Sequence, residues 1–507
     1  MLTNDDNRSA DGVQSLYHYR RDNCSFLVFL GFYIALWTVY ACVALGADSI
    51  HHDMAEAWVW GQEFQLGYYK HPPFFSWIAG VWFHLLPRTN CSFFLLSAVN
   101  AAVGLAGVWF LAGRFFDGAA RRAAVLLLCL TPFYSFMAIK FNANTALLSS
   151  WPWAAYFFVR AVETRRATDG FWFGALAGLA LLTKYYSILL VISCAVAALF
   201  HPERSRILRS WAPYTAAAAF CLVIAPHVLW TINNGWPTVN YALRKAHNPM
   251  SLLLVNVFIA IISAALCLVL PTFMLLVALG DSRLQVLRAA WRFLISRQSA
   301  WVGVLGLGPI VLTLAAGLGG LTRATIDFMI PTFYMLPIIV LAGAPAALTA
   351  RKLRLIAASV VTVLAGSLLA SPFLAQYRIG SFSRGEPRRE VAAEATRLWR
   401  EETRTPLPIV AGSWPYSEMI SFYGPDSPSE FTNLDYSLAP WISPGRIDQE
   451  GLVIVCEDTD SACLTAAAQF QFPGTQRIGR RIVAPSAARP SGPKNFVFFL
   501  IPPRSPR

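Results

Sequence analysis

Asp53-Met54-Ala55-Glu56-Ala57-Trp58-Val59-Trp60 is followed at a short distance by Gly67-Tyr68-Tyr69-Lys70-His71-Pro72-Pro73. The pair comes soon after Phe26 to Leu45, an apolar run that reaches the roughly 20 residues a helix needs to cross a bilayer. Acidic groups beside a membrane are costly unless they are used. Carboxylates, a Lys-His-Pro-Pro step and aromatic rings gathered at a bilayer edge suit a site that holds a lipid phosphate and a sugar together.

The remainder of the chain agrees with a membrane setting. Of 507 residues, 56% are hydrophobic and 14% charged, against about 25% charged in soluble domains. Apolar runs recur from residue 25 to residue 371, so the expected fold class is mainly α: a polytopic membrane protein. The net charge of +13 does not point to nucleic acid. Its Arg and Lys residues sit mostly in short loops between apolar runs, as membrane orientation demands, and no aromatic-basic module accompanies them. No cleavable signal peptide is apparent, and residues 1–24 are expected to form a polar cytoplasmic tail.

The basic loops set the topology. Arg20 and Arg21 precede the first span. Further basic connections carry Arg121 and Arg122, Arg165 and Arg166, Arg204 to Arg209, Arg283 to Arg297, and Arg351 to Arg354. All are expected on the cytoplasmic side. Pro72 to Leu86 is apolar but short, and crossing there would put Arg121 and Arg122 outside, so it is expected to be a re-entrant or surface-lying helix in one long external loop, 49–91. Eleven spans then alternate, near 25–47, 92–112, 122–139, 145–160, 170–183, 186–200, 211–231, 251–278, 299–318, 328–347 and 354–371. This gives a transmembrane domain over 25–375 and places 376–507 outside. There, polar residues rise and turns appear. Leu407–Ala411, Gly451–Cys456 and Asn495–Ile501 read as strands and Glu390–Glu401 as an amphipathic helix, a small external α/β domain. Seven of the nine cysteines read as small hydrophobes, while Cys456 and Cys463 are expected to form a disulfide.

Helical spacing puts Asp53, Glu56 and Trp60 on one face, although Asp-x-x-Glu is also the signature of a capped helix start. His51 and His52 directly precede them. The four side chains offer a divalent metal a possible home, yet no ligand spacing enforces one, and plain interfacial solvation is the stronger reading. Lys70, Lys140, Lys184, Arg244, Lys245 and Arg323 all fall at predicted external ends, the side that disfavours positive charge. Each alone is an ordinary anchoring residue; together they suit a phosphate. His71 adds a titratable ring. Asn142 and Asn144 either bond sugar hydroxyls or cap the fourth span, and Trp60 offers a stacking face. His227 reads as a satisfied buried histidine.

These residues carry a family likeness. The chain resembles the lipid-dependent glycosyltransferases of the GT-C fold, in the protein-mannosyltransferase and aminoarabinose-transferase-like superfamily, most of all its bacterial glycosyltransferase family 39 members. The likeness rests on Asp53 with Glu56-Ala57, on Lys70-x-Pro72-Pro73, and on Gly178 leading into Leu181-Leu182-Thr183-Lys184-Tyr185. Two departures stand out: Met54 follows Asp53 where many members have Glu, and Asn142 and Asn144 occupy a region where many carry a second acid. A smaller group of bacterial relatives shares the Asn form, and some of those act on lipopolysaccharide.

The resemblance implies a polyprenyl-phosphate sugar donor and a lipid or glycan acceptor such as lipid A or lipopolysaccharide. It further implies a periplasmic active site on the bacterial inner membrane and inversion at the anomeric carbon. Asp53 is then the general base and Glu56 its partner or a donor contact. Lys70, Lys184, Arg323 and Arg244 steady the leaving phosphate, while His71, Asn142, Asn144 and Trp60 meet sugar or acceptor. The rival readings are a transporter or flippase of a lipid-linked glycan, which ordinarily places its charge near the bilayer midplane, and a polysaccharide ligase.

Overall fold

A computed structural model describes residues 5–504 other than 247–249, 322–324, 378–381, 383–384, 471 and 484–491, with side chains from 22 onward other than 246, 250 and 251. All eleven expected spans overlie helix. Among the described residues, six helices are long and apolar enough to cross a membrane alone: Asp22–Leu45, Asn90–Ala112, Ala212–Asn233, Leu252–Ile295, Ala300–Leu318 and Ala350–Tyr377. The other five are shorter or broken. Gly118–Cys129 and Pro132–Ile139 meet at 83°, where Pro132 lacks the N–H that continuation requires. The first helix begins at Asp5, so most of the expected polar tail is helical; no proline interrupts it before Leu45.

The expected surface helix is Phe74–Leu85, and it ends ahead of Pro87. It crosses a second loop helix, His52–Glu63, where the two backbones touch: a Cβ on Gly61 would strike the Ser76 carbonyl, and one on Gly80 the Gly61 carbonyl. Only glycine permits that approach. Cys42 and Cys91, read from sequence as small hydrophobes, are instead disulfide-bonded with Cα atoms 5.3 Å apart. They tie the two ends of the loop together, a pairing that their 49-residue separation concealed.

Residues past the last long helix form a mixed five-stranded sheet in the order β2-β1-β3-β5-β4: β1 Ile409–Gly412, β2 Ser429–Glu430, β3 Leu452–Glu457, β4 Gln476–Ile482 and β5 Lys494–Ile501. β1 runs parallel to β2 and β3, whereas β5 is antiparallel to β3 and β4. The three expected strands are β1, β3 and β5. β2 has only two residues, and β4 is an Arg-rich, largely exposed edge with no apolar alternation to reveal it. Cys456 and Cys463 form the expected disulfide.

This α/β unit docks on the loop through a short helix, Tyr416–Tyr423. Arg88 donates to the Ser421 carbonyl at 2.9 Å and the Gly424 carbonyl at 2.6 Å. Gln62 donates to Ser421 Oγ at 3.0 Å, and the Ile50 N–H to the Tyr423 hydroxyl at 2.8 Å. The sheet domain therefore roofs the loop helices.

Candidate active site

The helix His52–Glu63 is capped by His51, whose Nδ1 accepts the Asp53 N–H at 3.1 Å. Asp53 is thus not the cap, and its carboxylate is left to face the bundle. Asn142 Nδ2 donates to Asp53 Oδ2 at 2.8 Å, and Lys140 Nζ lies 3.7 Å from the same oxygen. His52 Nε2 stands 3.2 Å from Oδ1. Burial pushes the Asp53 carboxyl up, but the His52 hydrogen bond and the Lys140 and Lys70 charges outweigh it and hold the group well below the usual range. Burial also draws His51 down to about 3, against the pull of Asp53, so its ring is neutral.

One turn along, Glu56 is buried and accepts from Lys70 Nζ at 2.8 Å. Burial alone lowers the Lys70 ammonium; the Glu56 and Asp53 carboxylates reverse that and keep it charged. The Lys70 segment is pinned from several sides. Thr238 Oγ1 donates to the Tyr68 carbonyl at 2.6 Å, and His227 Nδ1 meets the Leu66 carbonyl at 2.7 Å. His227, with its Nε2 2.6 Å from the Tyr185 hydroxyl, is the satisfied buried histidine that was expected.

The two asparagines connect Asp53 to Lys184. Asn142 Oδ1 accepts the Asn144 N–H at 3.0 Å while its amide holds Asp53, and Asn144 Oδ1 accepts from Lys184 Nζ. Lys184 is buried, with its Nζ 3.6 Å from the centre of the Phe328 ring; burial first, then the Lys245 charge, draws it down to about 7. It sits at the break between the helices Ala167–Thr183 and Ile188–Phe200. Asp53, Glu56, Lys70, Lys140, Asn142, Asn144 and Lys184 therefore form one connected polar cluster at the loop-bearing end of the bundle.

Other expected residues fare differently. Trp60 is 2% exposed and stacked on Tyr68 at 4.9 Å, a core residue with no free face for a sugar. His71 lies edge-on to Trp60 and Phe75; burial first, then the Lys70 and Lys184 charges, push it well below its ordinary value. Arg244 is exposed on the helix Pro237–Ala246, whereas its neighbour Lys245 is the one whose charge reaches Lys184 and His71. Arg323 lies outside the described residues. His51, His52 and Asp53 offer ligand atoms within 4.8 Å of one another. However, His51 Nδ1 already accepts an N–H, and the Lys140 ammonium beside Asp53 opposes a dication, so the set fits a metal poorly.

Two neighbours escaped the sequence reading because they lie more than 350 positions away: Glu418, buried, and Trp414, whose ring meets His52 at 4.5 Å. Nothing local to Ser413-Trp414-Pro415 marks it as part of this site. An apolar cavity of ≈ 330 Å³ lined by Phe158, Ala177, Cys194 and Ala216 shares no residue with the polar cluster and offers no reactive group.

Residues 70–230 match the family described as dolichyl-phosphate-mannose-protein mannosyltransferase. Across 93% of this chain and 97% of the other, the structure superposes on ArnT from Cupriavidus metallidurans bound to undecaprenyl phosphate, with a TM-score of 0.61 at 14% identity. This is a GT-C fold. The GT-C chain is also 26% identical over 232 residues to the lipid A galacturonosyltransferase RgtD of Rhizobium johnstonii. It is 27% identical over 191 residues to the lipopolysaccharide core galacturonosyltransferase RgtA of the same organism. These matches span 46% and 38% of those relatives' own length, less than half of each. They cover 44% and 37% of the GT-C chain.

Proposed function

We propose that this protein is an integral-membrane glycosyltransferase that moves a sugar from a polyprenyl-phosphate donor to a lipid A, lipopolysaccharide or other envelope acceptor, with inversion. The observation that carries the reading is Asp53: an ionised carboxylate at the start of a loop helix, wired through Asn142 and Asn144 to Lys184 and flanked by Lys70 and Lys140. The relatives named for lipid A and lipopolysaccharide core supply the acceptor class, and the undecaprenyl phosphate in the superposed ArnT supplies the donor class.

In the reaction, the acceptor oxygen attacks the anomeric carbon from the face opposite the phosphate. Its proton passes to Asp53, and the bond from the anomeric carbon to the phosphate oxygen breaks, releasing polyprenyl phosphate. Lys184 and Lys70, with Lys245 nearby, offset the departing charge, an effect usually worth more than any other in such transfers. Arg323 and Arg244 remain candidates for the same task. Glu56 acts through Lys70, holding its ammonium in place. The cations that keep Asp53 ionised also blunt it as a base; a bound phosphate draws them off and restores its basicity. No metal is needed.

Charge on the connecting loops supports a periplasmic position for the cluster and the sheet domain, on the outer side of the bacterial inner membrane. The disulfides Cys42–Cys91 and Cys456–Cys463 are at home in that oxidising space. The test is Asp53→Asn in full-length protein supplied with a polyprenyl-phosphate sugar and lipid A. Transfer is expected to fall by at least about 10²–10⁴-fold with an unchanged melting temperature. A variant that retains its turnover removes Asp53 as the base.

A further inference from the structure

From residue 411 to residue 422 every side chain is buried except one: Trp414, which is 58% exposed. It is held rather than loose. Its ring stands edge-on to His52, with centroids 4.5 Å apart at 68°, and His52 Nε2 is 3.2 Å from the Asp53 carboxylate. The chain after Trp414 runs alongside the loop helix, since Trp58 Nε1 donates to the Ser421 carbonyl at 3.4 Å and Gln62 to Ser421 Oγ at 3.0 Å. Glu418, one turn past Trp414, is near enough to feel the charges of Glu56, Lys70 and Asp53. Glu418 is 8% exposed, and its Oε2 has no hydrogen-bond partner among the described residues. A buried polar atom without a partner costs about 1–3 kcal/mol. The sheet domain thus brings an exposed indole to the rim of the site and leaves an unanswered oxygen buried beneath it, and neither group has a use in the donor chemistry.

We infer that Trp414 and Glu418 form the acceptor subsite, and that its occupant is a pyranose ring of a glycolipid headgroup. This rests on the transferase reading and specifies its acceptor. A pyranose suits both features, having a C–H face that packs on an indole and an edge of hydroxyls that can donate to Glu418. Seated on Trp414, it presents a hydroxyl toward Asp53. A tryptophan serving only as an interfacial anchor needs lipid for its contacts; Trp414 is fixed to the roof and meets the His52 ring beside the general base. A protein acceptor fits less well, because among the described residues the edge strand beside the loop helix, β2, has only two residues and is too short for a peptide to pair along.

The test uses lipopolysaccharide core oligosaccharide freed of its lipid, added to the full-length protein in nanodiscs without donor, with binding read by saturation-transfer NMR. Wild type is expected to bind it, Trp414→Phe to bind within about threefold, and Trp414→Ala to bind at least about tenfold more weakly. Glu418→Gln, which can still hydrogen-bond, should fall between them. Equal binding by Trp414→Ala overturns the inference. So does a wild type that ignores both the oligosaccharide and the delipidated lipid A disaccharide but binds sugar-free phospholipid vesicles, since that is an anchor's behaviour. Binding is measured without turnover, so the Asp53→Asn result bears on the base alone.

Discussion

The two ends of the bundle use positive charge in opposite ways. At the end bearing the short basic loops, arginines meet their own carboxylates: Arg165 with Glu203 at 2.5 Å, Arg114 with Glu163 at 2.5 Å and Arg206 with Glu203 at 2.9 Å. These pairs are solvent-exposed, and such pairs contribute about 0–1 kcal/mol each. At the other end three lysines are withdrawn from solvent and converge on two carboxylates, Lys70 on Glu56, Lys140 on Asp53, and Lys184 reaching Asp53 through two amides. Orientation needs only charge in a loop, whereas a site needs charge held in place with capacity to spare. The difference lies in burial, since each set puts three cations on two carboxylates.

The comparison breaks first, and most completely, if the lysine end is not periplasmic. Alkaline phosphatase fused after Arg507 is expected to be active; a silent fusion with an active inner-loop control reverses the assignment. Next in size is Lys70→Met, which strands the Glu56 carboxylate in a buried setting. A loss of roughly 3–5 kcal/mol is expected in thermal unfolding, with much of it recovered in the Lys70→Met, Glu56→Gln double variant. Arg165→Gln at the opposite end should shift stability by no more than about 0.5 kcal/mol. Equal losses at the two ends would erase the distinction.

Lys184→Gln keeps a hydrogen bond to Asn144 but removes the charge. Turnover is expected to fall about 10²–10³-fold, the range seen when a group stabilising developing negative charge is removed, against less than about twofold for Arg165→Gln. Steady-state kinetics on both variants decides it.

The smallest effect sharpens the contrast from the domain side of the seam. Burial raises Glu430 to about 7, while its hydrogen bonds to Ser417 and Thr432 pull the other way. A carboxyl raised on folding stabilises while protonated. Its contribution is complete below the unfolded value near 4.3 and is lost as pH rises toward about 7. Asp53, held low, makes no such contribution between pH 5 and 8. Glu430→Gln should therefore flatten the fall in melting temperature from pH 5 to 8, and Asp53→Asn should leave that slope as it is.

Much of this was legible in the sequence for plain reasons. Length and apolarity announce membrane helices because a bilayer admits few alternatives, and the basic loops order them. Asp53 and Glu56 stood out as acids set against a membrane, and Lys70 and Lys184 as cations on the side that disfavours them. Trp60 misled, since helical spacing places a side chain on a face without saying whether that face is free. Asp53 as a cap was undecidable until His51 was seen to occupy that role.

The sequence on its own indicated most of the membrane helices, where charge gathers and which residues to suspect, because these follow from periodicity and solvation along the chain. Only the tertiary structure decided that Asn142 and Asn144 join Asp53 to Lys184, that Cys42 pairs with Cys91, and that Trp414 meets His52. Contacts between distant positions depend on how helices and domains pack, and no local pattern encodes that.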